Sequence, residues 1–532
     1  MTTPPASTFD RPQEPAHAMG APSSNRRSIL LVALAVIAAL VIGGGAWAVT
    51  RSLAGGGNQP ASALPAETAA YVRLDIDPSL GQKIAAVRFL DGLDDDVLDD
   101  LREGDFRETF FEWMAEDDPA FESIDYQDDI EPWLGDRMGM GIVPNGESEP
   151  YFGIALQVKD EEAADAGLTK MREMDDTPDA DDALDWFFHN GYAVLTPTGT
   201  VDELKGMVEE GTLADQETFR EDLSALGDQG VLSGWIDMEP LAALADSAMA
   251  QESVDDMSAL APSGALGMLG TTGSAGDALT GRYAAALRFA EDNIEVHGVS
   301  RGLEDMGIEG GESAHLVLDL PENTAAALSQ EHGDQFLGRA YAMFKEQFPQ
   351  EFAEAEAEAS EMGLDLPDDL QTMLGSSLVV SVGPGITALE QDDENIDYVE
   401  IAYRTATDTD KAEDILTRAL DLVGAEPEAS ELLVRRADDG VLTLGVSKPY
   451  VDTVAEGGAL GNHRLFKNAV PNAADAHSVF YVNVNTFEDL YLKDITDSAT
   501  RNSLKQLAAV GFSSTMDAEG NADFTLRFIA DE

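Results

Sequence analysis

The chain has 532 residues, 44% of them apolar, enough for roughly two to four domains with packed cores. Its 101 acidic and 32 basic residues give a net charge of −69, a surface that repels phosphate backbones and anionic headgroups and so excludes nucleic acid as a partner. There is no cysteine, which removes disulfides, thiolate metal sites, cysteine nucleophiles and a lipid-modified N-terminal cysteine.

Residues 1–27 are rich in Pro, Ala, Ser and Thr and lack apolar periodicity, and they read as a disordered tail. Arg26 and Arg27 close the tail, and an uncharged run from Ile29 to Val49 follows. Ile29, Leu30, Leu31, Val32, Val36, Ile37, Leu40, Val41 and Ile42 fill this run, and Trp47 stands near its far end, where an amphipathic ring prefers the interface. As a helix the run would cover roughly 30 Å, the thickness of a hydrocarbon core. The expectation is a transmembrane signal anchor over 28–50, with the N-terminus inside and residues 52–532 outside the cytoplasmic membrane. A cleaved signal peptide is the alternative, since Ala46-Trp47-Ala48 fits the small-x-small cleavage pattern. Residues 51–63 read as a flexible linker.

From residue 64 onward the elements recur in order. The first strand is expected at Tyr71-Val-Arg-Leu-Asp-Ile-Asp in one half and at His315-Leu-Val-Leu-Asp-Leu in the other. Leu337, Tyr341, Phe344, Phe348 and Phe352 then give an amphipathic helix, with Leu98, Leu101, Phe106, Phe110 and Met114 as a looser counterpart. Asp128-Asp-Ile-Glu-Pro-Trp-Leu-Gly matches Asp368-Asp-Leu-Gln-Thr-Met-Leu-Gly, a short helix with a glycine stop before a strand, and Phe152-Gly-Ile-Ala-Leu is matched to Val399-Glu-Ile-Ala-Tyr. The next helix of the second half has a capping box at Asp410 and Glu413 and a stripe of Ile415, Leu416, Ala419, Leu420 and Val423. Asn190-Gly191 and Asp439-Gly440 mark hairpins in register, because both dipeptides favour the positive φ angles of a type I′ turn. Leu213 precedes Phe219 as Leu460 precedes Phe466, and each half closes with a hairpin, turning at 291–293 and at 517–521. The fold class expected is α+β: two tandem homologous repeats, 64–304 and 305–532, each an antiparallel or mixed sheet with helices packed on it, behind one N-terminal transmembrane helix. Residues 259–281 read as a mobile insertion.

The phrase Leu64-Pro-Ala-Glu-Thr-Ala-Ala-Tyr-Val-Arg-Leu-Asp-Ile-Asp-Pro-Ser-Leu-Gly-Gln-Lys, with the segment from Asp128, resembles the bacterial family DUF3352, known as a domain of unknown function. The resemblance implies an extracytoplasmic domain behind one helix and brings no catalytic residues.

Catalytic signatures such as HExxH, GxSxG, GxxxxGK and SxxK do not occur. The histidines His17, His189, His297, His315, His332, His463 and His477 include no pair at local metal-ligand spacing and read as ordinary histidines. Gly267, Gly270 and Gly273 lie in a loop with no basic residue after them. Asp94, Asp95, Asp96, Asp99 and Asp100 form the densest acidic cluster, and Asp175, Asp176, Asp179, Asp181, Asp182 and Asp185 form another. Neither has the EF-hand order, so weak binding of divalent cations competes with a solvated acidic face. Trp113, Trp133, Trp186 and Trp235 read as core anchors. No cofactor and no catalytic residue is assigned. The leading expectation is a non-catalytic envelope module that binds a protein or ligand in the groove between its repeats. A carboxylate-dependent envelope hydrolase and a cation-dependent structural or adhesion module are the alternatives.

Overall fold

The computed structural model describes residues 58–76, 107, 108, 111, 124–146, 148–174, 184–241, 281–290, 292–302, 314–390, 395–422, 432–493, 495, 501, 504–517 and 520–531. The expected membrane segment, Trp113, the cluster at Asp94–Asp100, the stripe residues Leu98, Leu101, Phe106, Phe110 and Met114 and the 259–280 part of the insertion lie outside these residues. Among the described residues no helix is long and apolar enough to cross a membrane.

Sixteen strands of the described residues form a single sheet. The first eight are β1 (Ala70–Asp75), β2 (Leu134–Asn145), β3 (Ser148–Val158), β4 (Leu184–His189), β5 (Tyr192–Pro197), β6 (Leu232–Asp237), β7 (Arg282–Phe289) and β8 (Asn293–Arg301). The second eight are β9 (Ala326–Glu331), β10 (Ser377–Val382), β11 (Ile401–Ala406), β12 (Val434–Asp438), β13 (Val441–Gly445), β14 (Ser478–Asn483), β15 (Leu507–Met516) and β16 (Ala522–Ala530). Every neighbouring pair is antiparallel. Outward from the central β8–β16 pair the order is β8-β7-β6-β1-β2-β3-β5-β4 on one side and β16-β15-β14-β9-β10-β11-β13-β12 on the other, the same path with every strand number raised by eight. The expected separate sheets are therefore one continuous sheet. At the middle of the β8–β16 pair His297 faces Thr525.

The helices lie on both faces. α1 is Glu161–Met174, α2 Val201–Glu210, α3 Glu217–Leu226, α4 Gly333–Gln347, α5 Pro349–Glu361, α6 Asp368–Leu374, α7 Thr409–Leu422, α8 Lys448–Glu456 and α9 Arg464–Ala469. On one face Leu204, Phe219 and Leu223 of α2 and α3 pack over Tyr71, Trp235 and Ala284, with Phe219 edge-on to Trp235 at 5.3 Å. In the other half Phe466 of α9 lies edge-on to Tyr481 at 5.0 Å within the core that includes Val454 of α8. The opposite face is covered near its two ends. Ala164 and Leu168 of α1 pack with Trp133 there, and Ala412 of α7 packs with Leu442 and Leu444. Between them a row of directly paired apolar residues crosses the sheet from Val380 through Leu328, Phe480, Phe512 and Leu526 to Val296 and Leu287.

The two type I′ turns stand where the dipeptides predict them: Asn190 and Gly191 join β4 to β5, and Asp439 and Gly440 join β12 to β13, all four with positive φ. Other expectations need correction. His315-Leu-Val-Leu-Asp-Leu is a 3-10 turn (Leu316–Asp319), and the strand is the following Ala326–Glu331. Leu316, Val317 and Leu320 are buried in that turn, so the apolar signal marks a plug under the helices. Its counterpart before β1 is Pro60–Ala63, read from sequence as linker, whose Pro60, Ala61 and Ala63 are buried. The stripe Leu337–Phe352 breaks at Phe348, just before Pro349, into the hairpin α4–α5, in which Tyr341 meets Phe352 at 4.9 Å. Phe348 is 43% exposed, so this stripe does not face the core. The cap of α7 is Asp408, whose Oδ1 accepts from the Lys411 N–H at 3.2 Å, and not Asp410. The expected match of Phe152 to Val399 shifts by two residues, since Ala155 faces Gly139 and Arg404 faces Val379 in the corresponding strand pairs.

Candidate functional site

β1 and β9 end in acids that sit on the helix-covered face, Asp75 and Glu331, each paired across the ladder with the start of the next strand, Arg137 and Ser377. Each lies under a 3-10 turn whose leading residue is Gln59 in the first half and His315 in the second. The two settings differ in charge. Arg73 donates to Asp75 Oδ2 at 2.7 Å, to Gln59 Oε1 at 2.9 Å and to the Gly230 carbonyl at 3.0 Å, and Arg137 Nε stands 3.3 Å from Asp75 Oδ1. Burial raises the Asp75 pKa, while Arg73 and Arg137 pull it down.

Around Glu331 the arginine positions are serines. Ser377 Oγ donates to Glu331 Oε1 at 2.9 Å, and Ser329 Oγ reaches it at 3.5 Å. Among the described residues the only ion-pair neighbour is His315 Nδ1, at 4.0 Å. Glu331 is 4% exposed, and among the described residues its Oε2 and His315 Nδ1 are buried without a hydrogen-bond partner. Burial pushes the Glu331 pKa up to about 7, against hydrogen bonds from Ser377, the backbone of His315 and Ser329, because the low-dielectric site disfavours the ionised form.

Two more histidines close the cluster. His332, buried and in the left-handed region at φ 54°, turns the chain from β9 into α4, its N–H held by the Ser376 carbonyl at 2.8 Å. The His477 carbonyl accepts from the Glu331 N–H at 2.7 Å, its Nδ1 accepts from the Met516 N–H at 3.2 Å, and its ring lies 5.7 Å from that of His332. Burial lowers the His315 pKa, with Asp475 opposing and His332 adding to the shift. His477 is lowered by burial, then by His332 and His315. The arrangement can hold and pass a proton. Among the described residues no group of three or more His, Asp or Glu is placed to hold a metal ion.

The central seam carries a second polar set on the same face. Glu295 accepts from Arg288 at 3.0 Å and from Arg527 at 2.9 Å, and His297 Nδ1 meets Thr525 Oγ1 at 3.2 Å. Burial lowers the His297 pKa, and Arg288 adds to it. The border between the two halves, where the groove is expected, is bridged by strand pairing, and these ion pairs stand on the sheet face there.

Of the residues singled out from sequence, Asp94, Asp95, Asp96, Asp99 and Asp100 lie outside the described residues, as do Ile29–Val49. Asp185 of the second acidic cluster is described and pairs with Arg172 at 2.9 Å on the β4 edge. Trp133 and Trp235 are buried anchors, whereas Trp186 is half-buried, donating to Asp165 at 3.0 Å beneath Arg172. Sequence reasoning missed Glu331 and took His315, His332 and His477 one at a time. The available signal was the pair of phrases Leu64-Pro-x-x-Thr-Ala-Ala and Leu320-Pro-x-x-Thr-Ala-Ala, which aligns Asp75 with Glu331 and shows the arginines replaced. No curated protein and no solved structure matches the chain. Residues 30–183 match the model of a family described as protein of unknown function (DUF3352), the family that the phrases from Leu64 and Asp128 resemble.

Proposed function

We propose that this is a membrane-anchored, extracytoplasmic protein built by duplication of one α+β unit, and that it binds a partner. The uncharged run Ile29–Val49 behind Arg26 and Arg27 supports the anchor. The strand order that recurs with an offset of eight supports the duplication. The observation that carries the binding reading is the apolar row on the sheet face away from the 3-10 turns, where Leu328 is 55% exposed beside half-buried Phe480 and Phe512. In a chain of net charge −69 such a row is where an apolar partner surface gains most by excluding water.

The test is a photo-crosslinker at position 328 in the membrane-bound chain, with Leu328→Asp as control. Leu328 is 55% exposed but paired across the ladder with Val380 and Phe480, so L328D should cost no more than about 1–2 kcal/mol of folding stability. The crosslinked partner seen with the wild-type row should be lost in that variant. Equal recovery of the partner from L328D, or none from membranes carrying the wild-type row, would refute the reading. The carboxylate-dependent hydrolase draws its support from the raised pKa of Glu331. A substrate could reach that carboxyl only after the turn at Leu316–Asp319 had moved aside, since Glu331 is 4% exposed.

A further inference from the structure

We propose that Glu331, His315, His332 and His477 form a proton-operated clasp, in which one proton holds the turn Leu316–Asp319 and the start of α4 against the sheet and its loss loosens them. The geometry supplies the reason. Glu331 Oε2 and His315 Nδ1 are two buried atoms without hydrogen-bond partners, and Nδ1 stands 4.0 Å from Oε1 of the same carboxyl, so a small turn of either side chain brings the pair together. A protonated carboxyl is a donor and a neutral imidazole nitrogen an acceptor, so a single proton shared by this pair satisfies both. Without it, the carboxylate is left with two serine hydroxyls, the His315 backbone and no cation, the setting that Arg73 and Arg137 relieve at Asp75.

The groups facing the carboxyl are Ser329 from β9, Ser377 from β10 and His315 from the turn. His332 at the entry to α4 and His477 at the entry to β14 stand beside them with rings 5.7 Å apart, and His332 and Asp475 act on His315 in opposite senses. His315 at φ 42° and His332 at φ 54° both hold left-handed backbone, a conformation that costs of order 1 kcal/mol or more for a residue with a Cβ and persists only while its surroundings enforce it. The two strained residues flank the segment that the proton would hold.

The direction of the effect follows from linkage. The folded chain binds the Glu331 proton more tightly than the unfolded chain, whose carboxyl titrates near 4.5, so this group's stabilising contribution is full below about pH 4.5 and is lost as pH rises to about 7. His315 and His477 are depressed below 6.5, so their contribution is present above that pH and lost as pH falls through their folded values.

The experiment uses the full chain in detergent, comparing wild type with Glu331→Gln by thermal melting and by amide hydrogen exchange at Leu318, Glu331 and His332. Between about pH 5 and about pH 8 the wild type should lose stability relative to E331Q, by up to about a hundredfold in the folding equilibrium. Protection of the three amides, corrected for intrinsic exchange, should fall in the wild type alone. His315→Gln places in the second half the residue that stands at position 59 in the first. As a donor to the carboxylate it should satisfy the ionised form and shrink the loss of protection between about pH 5 and about pH 8. Parallel pH profiles for wild type and E331Q overturn the proposal, as does a loss of protection undiminished in H315Q.

Discussion

Asp222 shows what a buried acid costs to lose. It is 2% exposed, accepts from Trp235 Nε1 at 2.9 Å, and holds Arg282 through Nε at 2.7 Å and Nη2 at 3.2 Å. Asp222→Ala strands an indole N–H in the core and a guanidinium at its rim, so chemical denaturation should report a loss of about 3 kcal/mol. Asp222→Asn keeps an acceptor and should lose less. From sequence, 101 acids look alike, and local density pointed to Asp94–Asp100 and to the run ending at Asp185. The acids that carry chemical consequence are isolated ones whose strand or helix position buries them. Glu331 sits in a plain Gln-Glu-His phrase, and His477 reaches it only because β14 lies beside β9. Burial of that kind is a property of the sheet, and no window of sequence contains it.

At the scale of elements, the closest approach in the seam lies over Gly298 of β8. A Cβ there would stand 2.2 Å from the ring of Phe524 on the paired strand β16. Gly298→Val should therefore cost about 1–3 kcal/mol despite the better strand propensity of valine, and adding Phe524→Ala should return part of the loss in a double-mutant cycle of melts. The elements legible in sequence were those with chemistry in their own residues: the hairpins at Asn190-Gly191 and Asp439-Gly440, and the Leu–Phe spacing, which becomes a 3-10 turn leading into α3 and into α9. The misreading at His315 has a physical cause. The 3-10 turn there is more apolar than Ala326–Glu331, the strand it precedes, because Leu316 and Val317 of the turn and Leu320 after it are buried in the core, while β9 presents Ala, Ser and Gln between its neighbours. Apolarity tracked burial, and burial in this fold is not confined to strands.

For the whole molecule, a net charge of −69 places like charges over the entire surface, and compaction concentrates them. Raising NaCl from about 0.05 M to about 1 M shortens the screening length to roughly 3 Å, so the melting temperature should rise with salt. A melt insensitive to salt would mean that pairs such as Arg172–Asp185 and Arg436–Asp452 already balance the field locally. The outer strands are guarded in the usual way, with Asp185 on β4 and Arg435, Arg436 and Asp438 on β12. The inner strands β8 and β16 carry charges as well, but these are spent on each other across the seam, Arg527 on Glu295 and Arg301 on Asp523. Each strand is nine residues long, and β16 carries Phe524, Leu526 and Phe528 along one side. From Ala522 opposite Ser300 to Ile529 opposite Asn293 the two strands are paired residue for residue at that border. Either half made alone would bare a long, sticky margin fit to template fibre growth, so the sequence can be oily there only because the two margins are delivered on one polypeptide and seal each other.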